Sequence, residues 1–228
     1  MSLSPRFDIR SAALLFAALL SVHTLWILGS ELIRPKLGPE TKFPAPVAPE
    51  DIDSLRTTSL LAASFGLIRG DLWSVRALVD AANVLGGQDA PEKILTQPQV
   101  DGVRAAAGRA LSLMPLDSRV WLILAALSSQ DELAKEQLKL SYYTGPNDRR
   151  VMAYRLKFAT LPNALESREV REAARREIRT ILIRAPELKP IIAAAYAGAK
   201  SEGRRFIEMI VLEFDPSFMT TLNAVRPK

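Results

Sequence analysis

Residues Asp117 to Pro146 read DSRVWLILAALSSQDELAKEQLKLSYYTGP. Trp121 with Leu124 and Ala125 opens one apolar helical face, and Ala134, Leu138 and Ser141 stand twelve, eight and five residues ahead of Pro146. Spacings of three and four residues place such a set along one side of a helix. Proline has no amide hydrogen and its ring clashes with the preceding turn, so the second helix must stop there.

The same ending recurs on both sides of this stretch. Val103, Ala107 and Ala110 precede Pro115, and Ala174, Ile178 and Ile181 precede Pro186, at the same offsets of twelve, eight and five, while Gly203, Ile207 and Val211 precede Pro216 at thirteen, nine and five. Six residues after the first three of these prolines come Trp121, Met152 and Ile192, where the next helix begins its apolar face. Upstream, Leu60, Leu61, Ser64, Leu67, Ile68, Leu72, Val75, Leu78, Val79 and Ala82 predict a further amphipathic helix, ended by Gly86-Gly87. No alternating β-branched run bounded by turns is found, so the domain is expected to be all-α.

The proline-ended helices resemble the tetratricopeptide repeat (TPR), whose second helix carries a small, a bulky and a small residue before a closing proline. Small residues let antiparallel helices approach, and the bulky one fills the gap between neighbouring pairs. The resemblance spans Val100 to Pro216 and is closest over Asp117 to Pro146. Departures are the proline spacings of 31, 40 and 30 residues, Val103, Ile181 and Val211 at small positions, and Ser128 where the family has tyrosine. It implies an α-solenoid of antiparallel helix pairs that binds proteins or extended ligands through a concave face built by the first helix of each pair.

From Ser11 to Ser30 there is no Asp, Glu, Lys or Arg. At ~1.5 Å per residue this run matches a hydrocarbon core of roughly 30 Å. It exceeds the apolar region of a signal peptide and lacks a good small-x-small cleavage site, which favours an uncleaved anchor. Arg6 and Arg10 precede it, and Arg34, Lys36 and Lys42 follow. Because long domains cross membranes largely regardless of charge, the short basic tail is expected to stay in the cytoplasm, with the bulk of the chain periplasmic. Pro35, Pro39, Pro44, Pro46 and Pro49 predict a semi-stiff spacer able to hold a domain tens of ångströms from the bilayer. The division is thus a basic tail (1–10), a transmembrane helix (11–33), a proline-rich linker (34–50) and a helical domain (51–228).

Which chemistry is open to this chain? It has no cysteine, and its one histidine, His23, lies within the apolar run. Thiolate nucleophiles, a Ser-His-Asp arrangement in the domain and a zinc site are excluded by residue type. Gly66 and Gly70 lack the Lys-Ser/Thr of a phosphate-binding loop, and no cofactor is expected. Glu166-Ser167 resembles the catalytic dipeptide of lytic transglycosylases, enzymes that share a helical superhelix, but that family's other motifs have no counterpart, so the dipeptide is read as a helix start.

Charge is uneven. Arg149 to Lys228 holds 16 Lys and Arg against 9 Asp and Glu, whereas Met1 to Asp148 holds 14 against 16. On the second basic helix Glu169, Glu172 and Glu177 interleave with Arg168, Arg171, Arg175, Arg176 and Arg179, which predicts a solvated, internally paired face. Arg149, Arg150, Arg155 and Lys157 have only Asp148 as an acidic neighbour in sequence, and are the expected surface for an acidic partner: a protein, anionic lipid or an acidic glycan. Tyr142 and Tyr143 are candidate contacts for a peptide or glycan, in a cluster where Gly145 is expected in a left-handed conformation and Asn147 or Asp148 caps the next helix. Nucleic acid is not expected, since aromatics are not interleaved with the basic residues.

Together these features predict a single-pass inner-membrane protein of the bacterial envelope. Its TPR-like domain would scaffold an assembly with other membrane or envelope proteins, in surface-polysaccharide synthesis or export, without enzymatic activity. The alternative is a membrane-tethered glycan-binding or glycan-cleaving protein.

Overall fold

The computed structural model describes residues 9–35, 49–85, 96–128 and 130–226, and all its regular elements are helical. They are α1 (Ile9–Ile33), α2 (Pro49–Phe65), α3 (Gly70–Leu85), α4 (Gln97–Leu113), α5 (Ser118–Leu127), α6 (Asp131–Thr144), α7 (Arg149–Ala159), α8 (Pro162–Glu166), α9 (Arg168–Arg184), α10 (Lys189–Gly198), α11 (Ser201–Phe214) and α12 (Met219–Ala224), with short 3-10 turns at Pro186–Leu188 and Pro216–Phe218. α1 is long and apolar enough to cross a membrane, and none of its most apolar stretch is buried by the rest of the chain.

The four prolines end helices as their chemistry requires. α4, α6, α9 and α11 stop two residues before Pro115, Pro146, Pro186 and Pro216, and the intervening residues Met114, Gly145, Ala185 and Asp215 share one extended conformation, with φ between −137° and −155° and ψ between 59° and 76°. A residue before proline is pushed out of the helical region by the ring's Cδ, so one steric rule sets all four turns. Gly145, at φ −151°, is therefore not left-handed. It is glycine for room: a Cβ there would lie 2.5 Å from the Cβ and Oγ of Ser118 in the neighbouring turn.

Of the twelve residues named ahead of these prolines, eleven are buried and Ala134 is partly so. Gly203 shows why the first offset is small, since a Cβ on it would lie 2.3 Å from the backbone carbonyl of Thr160. Met152 and Ile192 are buried at the start of their helices, as is Leu222 six residues after Pro216. Trp121 departs from expectation. It is only half-buried, and its indole N–H donates to the carbonyl of Pro115 at 2.8 Å, so the ring braces its own turn.

α5, α7, α10 and α12, which follow the four prolines, pack each on the next, and α6 packs on α9 and α9 on α11. The 40-residue interval between Pro146 and Pro186 holds the additional short helix α8 and a longer α9, which absorb its extra length. One core runs through the array from Ala77 to Leu222.

Upstream, the helix expected over Leu60 to Ala82 is two. Gly66 to Arg69 form a turn between α2 and α3, where a Cβ on Gly66 would overlap Leu72, and one on Gly70 would overlap Met114 and Leu113 of the α4 end. Close approach, not phosphate binding, accounts for both glycines. Leu72, Val75, Leu78, Val79 and Ala82 are buried on α3, but Leu60, Leu61, Leu67 and Ile68 are exposed. Gly86-Gly87 lies outside the described residues, as do most of the proline-rich linker and most of the basic tail. The α1 end is fastened to the α2–α3 turn, with Arg69 donating to Ser30 Oγ at 3.0 Å and to Glu31 at 2.8 Å.

Candidate functional site

The turns after Pro115 and Pro146 carry the same sequence pattern, Pro-x-Asp-x-Arg, as Pro115-Leu116-Asp117-Ser118-Arg119 and Pro146-Asn147-Asp148-Arg149-Arg150. Each aspartate caps the next helix by accepting from the backbone N–H two residues on, Arg119 at 3.0 Å and Arg150 at 3.2 Å. Each also takes two donors from that arginine's guanidinium, at 3.1 and 2.9 Å for Asp117 and 2.8 and 3.0 Å for Asp148. Cap and fork thus fix an arginine on the first turn of both helices.

A polar ladder joins the turns. The residue three after each proline donates to an acid of the next turn: Ser118 to Asp148 at 3.0 Å, Arg149 to Glu187 at 3.0 Å and Lys189 to Asp215 at 2.7 Å. Between the first two turns opens a cleft of about 580 Å³, with Arg119, Arg149 and Arg150 on its walls beside Asp117 and Asp148. Of the four predicted basic residues, Arg149 and Arg150 meet here.

Burial opposes the charge on Asp117 and Asp148. The hydrogen bonds and charges of Arg119 and Arg150, with Ser118 helping at Asp148, outweigh it and hold both carboxyls below the usual carboxylate range. Lys189 and Ser217 lower Asp215 likewise. A carboxyl depressed in the folded state contributes stability that is fully present above its unfolded value, about pH 4, and lost as pH falls through the depressed value. The thermal midpoint is therefore expected to hold down to about pH 4 and to fall below it, more steeply for the natural chain than for an Asp117→Asn, Asp148→Asn variant; equal slopes would remove these caps from the acid response.

The other predicted residues divide sharply. Arg155 is fully buried and does not face a partner. Its guanidinium donates twice to Glu177 Oε1 from α7 to α9, and from Nη1 to the carbonyls of Ser141 and Gly145 at 3.1 and 2.9 Å. It lies 4.4 Å from the centre of the Tyr142 ring. Tyr142 is buried as well, its hydroxyl donating to Glu177 Oε2 at 3.2 Å. Burial, reinforced by the charge of Glu177, pushes its phenol well above its ordinary value, which keeps it a donor. Glu177 is thus no part of a solvated paired face. Tyr143 and Lys157 are exposed, the lysine ammonium 5.8 Å from the Tyr154 ring centre.

Glu166 ends α8 and pairs with Lys135 at 3.2 Å, while Ser167 caps α9 by accepting from the Val170 N–H at 3.4 Å. Both oxygens of the buried carboxylate Glu177 are engaged, so it is not the isolated acid that glycoside cleavage needs. Sequence reasoning missed Arg119, although the repeated Pro-x-Asp-x-Arg pattern would have found it. No family model matches the chain, and no curated protein or solved structure matches it.

Proposed function

We propose that this chain is a single-pass inner-membrane protein whose TPR-like helical array holds an acidic protein partner close to the bilayer, as a scaffold and not as an enzyme. The observation that carries this reading is the turn edge, where recurring proline-ended turns stack in register and place Arg119, Arg149 and Arg150 around one cleft. The forks of Arg119 and Arg150 are held by Asp117 and Asp148, so a partner carboxylate would be drawn to the cleft by the cationic charge of the three arginines and not by those same hydrogen bonds. The packing of α5, α7, α10 and α12 each on the next supports the solenoid part of the reading. Work in an envelope assembly for surface polysaccharide rests on analogy with anchored solenoids of that kind.

The Arg149 side chain is 61% exposed and can be reversed with little cost to the fold, whereas Arg119 pairs with the buried Asp117, so folding of the Arg119→Glu variant is checked by circular dichroism before recovery is read. Arg119→Glu with Arg149→Glu is expected to abolish recovery of the partner crosslinked in membranes, and raised salt to weaken the natural complex. Undiminished recovery would move the contact elsewhere. For orientation, a cysteine replacing the exposed Glu132 should react with a membrane-impermeant thiol reagent in spheroplasts, and one replacing Ser4 should not; the reverse pattern would place the domain in the cytoplasm.

A further inference from the structure

Five large apolar residues at the end of α2 and in the α2–α3 turn are open to solvent: Leu60 and Leu61 are 46% exposed, Phe65 50%, Leu67 57% and Ile68 66%. A cluster of this kind on a turn marks an interaction surface. The same turn is fastened to α1. The indole N–H of Trp26 donates to the carbonyl of Phe65, and one turn later in both segments Arg69 donates to Ser30 and Glu31. Arg34 pairs with Glu31 at 3.2 Å and with Asp71 at 3.3 Å, which completes a charged clasp at the end of the apolar run. Trp26 lies four residues before Ser30, so Phe65 stands about 6 Å inside that end.

Two further observations fit this depth. The carbonyls of Phe65, Gly66 and Leu67 are bonded, to Trp26, the Arg69 amide and the Arg109 guanidinium, so the turn can leave water without exposing those acceptors. Arg109 also borders the apolar patch, and a long cationic side chain at that height reaches lipid phosphates while its stem stays in apolar surroundings, whereas Arg34 and Arg69 are held by Glu31 and Asp71.

We propose that the segment Leu60 to Ile68 is a second membrane contact, with Leu61, Phe65, Leu67 and Ile68 seated in the bilayer interface beside α1 and Arg109 at the phosphates. It rests on reading α1 as a membrane span. The occupant is lipid because the patch is continuous with the apolar surface of α1 at the level where that helix leaves the hydrocarbon. The first pair of helices is then clamped to the bilayer, and the array can swing only as far as that clamp allows.

The chain has no cysteine, so single cysteines report position cleanly. Leu19→Cys, Leu61→Cys, Ile68→Cys and Leu212→Cys are made in the full chain, labelled with bimane and placed one copy per nanodisc of phosphatidylethanolamine and phosphatidylglycerol. Quenching by nitroxide-bearing lipids is compared with quenching by iodide. Labels at 61 and 68 are expected to be quenched by lipid nitroxides like that at 19, and to be several-fold less sensitive to iodide than that at 212. Lipid quenching at 19 with iodide access at 61 and 68 equal to that at 212 would overturn the second contact and leave the span intact. Iodide access at 19 would overturn the span and the contact with it. Labels at 61 and 68 shielded from both quenchers would mean that protein covers the patch, which also overturns the proposal.

Discussion

Arg155→Ala is expected to lower the free energy of unfolding by ~3 to 5 kcal/mol, because it leaves the carboxylate of Glu177 buried without its counter-charge. Neither side chain of the pair reaches solvent to any useful extent, at 0% and 1% exposure, so water cannot replace the lost donors. The damage spreads along the array. Arg155 ties the C-terminal carbonyls of α6 to α9, and the Tyr142 hydroxyl shares the same carboxylate. Replacing both partners removes the unpaired charge, so Arg155→Met with Glu177→Leu should recover most of the loss. Denaturant unfolding followed by helical circular dichroism separates the cases, and a single variant as stable as the natural chain would show that the pair is solvated.

Ile192→Ala follows, with an expected loss of ~2 to 5 kcal/mol for a fully buried branched side chain. Ile192 has no exposed surface and sits on α10, which packs against α7, α9, α11 and α12. The half-buried Trp121 occupies the corresponding place after Pro115, so Trp121→Ala should cost less than Ile192→Ala although it removes more atoms. Thermal or denaturant midpoints of the two variants give the order directly. The opposite order would mean that the Trp121 ring, and not the later residues at this position, closes the gap between helix pairs.

Where could these features be read from residues alone? The helix ends at Pro115, Pro146, Pro186 and Pro216 are legible because a proline acts on its own turn, through a missing donor and a steric limit on its predecessor. The buried sets ahead of these prolines are legible for a similar reason, since helical periodicity is local. Arg155 is not. Its partner is 22 residues away on another helix, and beside Arg149, Arg150 and Lys157 it reads as one more surface charge. Tyr142 is hidden in the same way by its link to Glu177. The break at Gly66 was obscured by an apolar pattern that continues through Leu67 and Ile68, residues whose exposure follows from where the turn lies against α1. In the candidate site, Arg149 and Arg150 were visible as charge, but their pairing with Glu187 and Asp148 and the placement of Arg119 beside them depend on adjacent turns coming into register.

Recruitment of an acidic partner by the turn-edge cleft is tested by a photocrosslinking residue in place of Asn147, on the cleft wall. In cells, irradiation should give a discrete adduct that disappears when Arg119→Glu and Arg149→Glu are added, whereas the same crosslinker replacing Leu212 on α11 should not give that adduct. An adduct of equal yield in the charge-reversed chain, or one obtained only from position 212, would contradict the account.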